Sequence, residues 1–287
     1  MRRLAILVAA LLTLSSCSTA PKERISPIKT DADNLYRLGK SLLLQGKEND
    51  AESSFVLARR YYSKIDDVEG IVNTELAILS LQVKQGELKD YSAKVEHTRE
   101  YISLFKPELI DRLHLAEVEN AFLQKNYDQV LKLTTKIPSY DKQVSVQLHA
   151  YRLLSLLELE EDGSSEIKSL RDYLSSIKKH KKGIGSEAEL YSFLSYTLGY
   201  YYYHQFDYKR SENYFLKALE ADKSIDNTIG IGKDLYYLGL IRIESDDLSA
   251  AKHYFLRARE IFETTKDLKQ VQLIDSKLEK ISDLIEE

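Results

Sequence analysis

Cysteine is almost missing from this chain: Cys17 is the single one in 287 residues. No disulfide can close within it, and a chain of this length can bury a core without one. Proline is scarce as well, with only Pro107 and Pro138 beyond residue 31, and glycine is sparse. Beyond that point apolar residues recur at steps of three and four rather than two, which excludes a strand-rich fold and predicts helix throughout. No apolar run is long enough to cross a bilayer: Leu4 to Leu14, broken only by Thr13, falls well short of the roughly 20 residues a spanning helix needs. A positive excess is missing too. The formal charge of -4 argues against a nucleic-acid partner.

Catalytic patterns are equally absent. His97, His114, His149, His180, His204 and His253 never take the four-residue spacing with an intervening glutamate that puts a zinc site on one helix face. Gly230-Ile231-Gly232-Lys233 lacks the spacing, the following hydroxyl and the preceding strand of a phosphate loop, and is expected to be a turn between helices. Glu158, Glu160, Glu161 and Asp162 read as a solvated helix end rather than two carboxylates held in contrasting environments. There is no Gly-x-Ser-x-Gly elbow. Neither enzymatic activity, nor a metal, a cofactor or a small-molecule substrate is expected.

What is present begins with an address. Arg2 and Arg3 precede the apolar stretch, and Leu14-Ser15-Ser16-Cys17 closes it. This resembles the lipobox of bacterial lipoproteins. The resemblance implies a signal peptide over 1–16, cleavage before Cys17 and acylation of its sulfur, with a lipid-anchored tether over 17–30 and a repeat domain over 31–287. One acyl chain holds a protein to membrane only marginally, so stable anchoring takes two or three. Cleavage removes two arginines and no acid, moving the charge from -4 to -6. Ser18 stands where this family's retention signal would place Asp, which favours the outer membrane, facing the periplasm.

The body repeats with a period of 40. Leu198-Gly199 recurs as Leu238-Gly239, Phe215 as Phe255 and Ala218 as Ala258. Leu38, Gly39, Gly46, Ala51, Phe55 and Ala58 give a third copy; Gly86 and Tyr101 mark a weaker one, with Leu79, Tyr91 and Thr98 replacing small residues. Ala121, Asn126, Tyr127 and Val130 mark another unit ending at Pro138, and Val146 to Ser176 a degenerate one. This resembles the tetratricopeptide family, in which paired helices cross over small residues. The resemblance implies an all-α solenoid of about six helical hairpins. The long period suggests longer second helices or longer inter-repeat turns. Val271, Ile274, Leu278, Ile281 and Ile285 form one apolar stripe on a last helix, expected to cap the array rather than to seed a coiled coil.

In that family the first helix of each repeat lines a concave groove. The corresponding positions here are Phe193, Tyr196, Tyr200 and Tyr203, then Tyr236, Leu240 and Ile243, and Tyr36, Lys40 and Leu43 in the first repeat. Exposed, they would form an aromatic peptide groove, since tyrosine combines a rigid apolar face with a hydrogen-bonding tip. The basic run Lys178, Lys179, His180, Lys181 and Lys182 reads as a solvated loop, with contact to anionic lipid or an acidic partner as the alternative. The resulting expectation is a lipid-anchored scaffold holding a protein partner of an envelope assembly. The alternatives are a pilotin-like lipoprotein assisting secretin assembly in a type IV pilus system, or an accessory of outer-membrane protein insertion or of cell-wall enzymes.

Overall fold

A computed structural model describes residues 26–136, 141–179 and 187–286. The segment expected to be a signal peptide, Cys17, the expected tether up to residue 25, Pro138 and the stretch from His180 to Gly185 lie outside the described residues, as do the side chains of Lys178, Lys179 and Ile285.

Thirteen α-helices make up the described chain: α1 Pro27–Leu44, α2 Glu48–Lys64, α3 Val68–Lys84, α4 Tyr91–Phe105, α5 Ile110–Leu123, α6 Tyr127–Leu133, α7 Lys142–Glu158, α8 Ile167–Lys179, α9 Ala188–His204, α10 Tyr208–Ser224, α11 Thr228–Glu244, α12 Leu248–Thr264 and α13 Leu268–Glu286. They pair in order into six hairpins, α1 with α2 through α11 with α12, followed by α13. The protein is therefore an all-α solenoid.

One local rule generates the 40-residue period. In the regular hairpins each helix has 17 residues and each turn three, so the step is 20 and recurs twice per hairpin. The middle turn residue takes a left-handed conformation, at Gly46, Asp66, Phe206, Asp226, Asp246 and Lys266. The residue after it returns its backbone N–H to the carbonyl five positions earlier, as in Asp207 to Tyr202 and Asp247 to Arg242 (both 2.9 Å), which satisfies the end of one helix. Its side chain then caps the next: Asp67, Asp207, Asn227, Asp247 and Asp267 accept from the backbone N–H three residues on, each cap contributing about 1 kcal/mol. The extra length over the common period thus sits in both helices of a hairpin, and the inter-repeat turns are short.

Two boundaries differ from the sequence expectation. Residues 27–30, assigned to the tether, are the first turn of α1, because Pro27 occupies the first helical position, where a missing N–H and a fixed φ cost nothing. Gly230 to Lys233, expected in a turn, lie in the first two turns of α11, since Asn227 caps the Gly230 N–H at 3.1 Å.

Within hairpins one, five and six the helices cross where a phenylalanine ring lies on a glycine. Phe55, Phe215 and Phe255 are fully buried, and a Cβ added to Gly39, Gly199 or Gly239 would lie 2.6, 3.1 or 2.9 Å from the respective ring. Ala51, Ala58, Ala218, Ala251 and Ala258 are buried as well. Leu198 and Leu238 are fully buried, whereas their counterpart Leu38 is 50% exposed; no hairpin precedes it among the described residues. At the other end Val271, Ile274 and Ile281 are buried and Leu278 packs on the same cluster, so α13 covers the last hairpin as a cap.

The first helices α1, α3, α5, α7, α9 and α11 touch one after another and form the inner row. That row curls until α1 also meets α11. The α1–α2 turn rests on the sixth hairpin, Gly46 lying against Thr265 and Ile229, while Lys40 pairs with Glu189 at 2.5 Å. The turn side of the first hairpin therefore sits on the opposite edge of the fifth and sixth.

Candidate partner-binding surface

The inner row carries every residue the sequence nominated for partner binding, but it uses many of them internally. Tyr196 and Tyr200 stack, with ring centroids 6.3 Å apart. Tyr237 is the hub of the layer: it stacks on Phe215 at 4.9 Å and meets Tyr196, Tyr200 and Tyr203 edge-on. The sequence reading passed over Tyr237, whose one signal was its place beside Tyr236. Tyr200 also donates to Glu158 across the hairpin boundary at 2.7 Å, and burial drives its hydroxyl pKa upward. Burial likewise pushes Tyr203 up to about 12. Phe193 packs on Tyr151 at 5.0 Å, Tyr236 on Phe255 at 5.7 Å, and Leu240 and Ile243 on the C-terminal core. Because all seven are partly buried, hairpins five and six hold a self-packed aromatic seam rather than the open aromatic groove expected.

Tyr36 and Lys40 lie where the superhelix meets itself. Tyr36 leans on Phe55 at 5.6 Å, and Lys40 is held by Glu189. Close by, Glu119 interacts with the Tyr151 hydroxyl. Glu119 keeps part of its own surface open, but protein encloses it on the inner wall. That enclosure, reinforced by the Glu189 charge and opposed by Lys40, pushes its pKa up to about 7. Spacing along the chain does not reveal this cluster, since Lys40 and Glu189 stand 149 positions apart.

A second buried polar group sits between α9, α10 and α11. Asp222 and Asp234 are 2% and 0% exposed. Asp222 accepts from Asn227 Nδ2 at 2.9 Å and interacts with Ser192, whereas no N–H donor reaches the Asp234 oxygens. Burial and the adjacent Asp222 carboxylate hold the Asp234 pKa well above the carboxylate range. Gly230 is required here, because a Cβ would lie 2.0 Å from Asp222 Oδ2.

Among the described residues an open recess lies elsewhere, between α1 and α3 with Tyr62 of α2 in its wall. It is a cleft of about 370 Å³ lined by Lys29, Asp33, Tyr36, Arg37, Tyr62, Glu69, Gly70 and Asn73. Its walls are fixed by ion pairs: Lys29 bridges to Asp67, and Glu69 holds both Lys106 and Arg112 at 2.9 Å. Tyr62 donates to Asp33 at 2.7 Å, and Gly70 admits the Tyr62 ring, which a Cβ would meet at 2.2 Å. Arg112 donates to Asn73 Oδ1 at 2.9 Å, which sets the amide and leaves its N–H₂ to donate. Arg37 is exposed and held only by its own helix. The recess thus offers a guanidinium, an amide and tyrosine edges, groups that bind peptide backbone and carboxylate. Of the nominated residues only Tyr36 lines it.

Among the described residues no three His, Cys, Asp or Glu side chains gather as a metal site, and no helix is long and apolar enough to cross a membrane. In comparisons with known proteins, no family model and none of the curated proteins matches the chain.

Proposed function

We propose that this protein is a lipid-anchored scaffold with a tetratricopeptide-like solenoid, attached through Cys17 to the periplasmic face of the outer membrane, that holds a protein partner of an envelope assembly. The observation that carries the reading is the cleft between α1 and α3, whose walls are braced by ion pairs while Arg37 and the Asn73 amide stay available to a ligand. An extended peptide fits such a recess: Asn73 donates to a backbone carbonyl and Arg37 pairs with a carboxylate. The aromatic seam ties hairpin five to hairpin six.

The test is in-cell photo-crosslinking from a photoreactive residue at position 37, with position 206 on the far edge as control and mass spectrometry as readout. One abundant envelope protein captured from position 37, and lost on Asn73→Ala, supports the cleft. Capture that ignores both the position and the Asn73 change refutes it. Identification of a secretin subunit as that partner would select the pilotin-like form of the reading.

A further inference from the structure

Leu104 and Phe105, at the end of α4, are 75% and 61% exposed, and Ile110 follows just beyond Pro107 at 37%. The buried stripe of α4 is Val95, Thr98 and Ile102. Leu104 lies off that stripe, and Phe105 sits at the point where the helix stops, its ring tilted against Tyr101 at 4.9 Å. Exposed apolar residues grouped at one rim mark a contact surface.

The described chain starts on this same edge. Lys29 in the first turn of α1 bridges to Asp67, and two residues further Glu69 holds Lys106, the neighbour of Phe105. With neighbouring helices 8–10 Å apart, these two steps place the start of α1 within about 20 Å of Phe105. This is also an open end of the superhelix, since it is the opposite, turn side of the first hairpin that rests on hairpin six. Eight residues lie between Cys17 and Ser26, so the span is at most about 30 Å, and acylation of Cys17 would hold this edge against the bilayer at high effective concentration.

We propose that the α4–α5 edge is a membrane-docking face, with Leu104 and Phe105 entering the headgroup boundary and orienting the solenoid on the lipid surface. This rests on the lipid-anchor reading above. The charges beside it are mixed, Lys64, Lys106 and Arg112 against Asp66, Glu69 and Glu108, so the contact is apolar and insensitive to salt, unlike the attachment of a basic patch.

The experiment uses the full lipoprotein in phosphatidylcholine vesicles. Acylation consumes Cys17, so Phe105→Cys carries the one free thiol for an environment-sensitive fluorophore, and Phe206→Cys, in the α9–α10 turn of the far edge and 77% exposed, is the control. Lipids spin-labelled near the headgroup should quench the probe at 105 and not at 206, and Leu104→Ser should weaken the quenching while the protein still floats with the vesicles. A protein that floats with its 105 probe unquenched overturns the docking face and leaves the anchor standing. A protein that neither floats nor incorporates labelled palmitate removes the anchor and the docking face together. Quenching lost on raising the salt from 0.1 to about 0.5 M would replace the apolar contact with an electrostatic one. Circular dichroism establishes that each variant is folded before it is scored.

Discussion

Glycine-to-alanine substitution at the three equivalent crossings gives opposing effects whose balance follows from geometry. In a helix interior the exchange by itself stabilises by about 1 kcal/mol. Against that stands the ring of the facing phenylalanine, because forcing an extra carbon into a packed contact costs about 1–3 kcal/mol. At Gly199 the added Cβ would meet three atoms of Phe215 at 3.1 Å. The ring needs to yield only a few tenths of an ångström to restore ordinary contact, so the two effects nearly cancel. At Gly239 the distances to Phe255 are 2.9 to 3.0 Å, giving a loss below about 1 kcal/mol. At Gly39 they shorten to 2.6 and 2.7 Å against Phe55, which is fully buried. There the cost reaches the upper end of the range, for a net loss of about 2 kcal/mol. Urea unfolding followed by circular dichroism ranks the three variants. Hydrogen exchange on α1 and α2 accompanies it, because a terminal hairpin of a nearest-neighbour array can open ahead of the rest. A Gly39→Ala protein more stable than wild type would refute the reasoning, since it would mean that Phe55 moves away freely.

The remaining expectations concern the inner face. Glu119 has a folded pKa raised to about 7 over an ordinary value of 4.5, so the folded state retains a proton that the unfolded chain has released. Its contribution to stability is complete below about pH 4.5 and is lost as pH rises through 7. The difference in melting temperature between wild type and Glu119→Gln, followed across pH 4 to 8, should therefore grow in favour of the variant toward high pH, and a flat difference would exclude titration at this site. The lowered carboxylates act in the opposite sense. Burial raises Asp67, but the hydrogen bonds from Lys29 and the Gly70 N–H outweigh it, and Lys106 with Arg112 lowers Glu69. Their stabilisation is present above pH 4.5 and fades as acid protonates them. Tyr200→Ala should cost roughly 2 kcal/mol, below the figure for a fully buried aromatic because the ring is partly exposed, and Tyr200→Phe under about 1 kcal/mol. Partner capture lost on Tyr200→Phe at unchanged stability would instead return Tyr200 to the binding surface.

Much of the fold was legible because its causes are local. The alternation of three and four, the Asp or Asn cap at 67, 207, 227, 247 and 267, and the glycine–phenylalanine pairs 16 positions apart each act within one helix, one turn or one hairpin, and the 40-residue period copies them. The hairpin count and the capping role of α13 follow from such patterns. Start positions were less legible: Pro27 reads equally as a tether residue and as a first helical residue, and the difference lies in whether the following turn packs. The binding surface was least legible. Family-type spacing brought Phe193, Tyr196, Tyr200, Tyr203 and Tyr236 to the inner row, but spacing does not say whether a neighbour fills the space in front of them, and here Tyr237, Glu158 and Tyr151 do.

Composition and periodicity by themselves determined an all-helical repeat chain with no internal disulfide, a lone cysteine after an apolar stretch and a terminal cap. These are properties of neighbours along the chain or one helical turn apart. The tertiary structure alone decided that Lys40 meets Glu189, that Gly46 rests on Thr265 and Ile229, that Glu119 and Asp234 lose their ordinary acidity, and that a recess opens between α1 and α3. The physical reason is accumulation. A small rotation between successive hairpins, set by side-chain packing at each interface, adds over six repeats until the first hairpin meets the last, and no short window of sequence contains that sum.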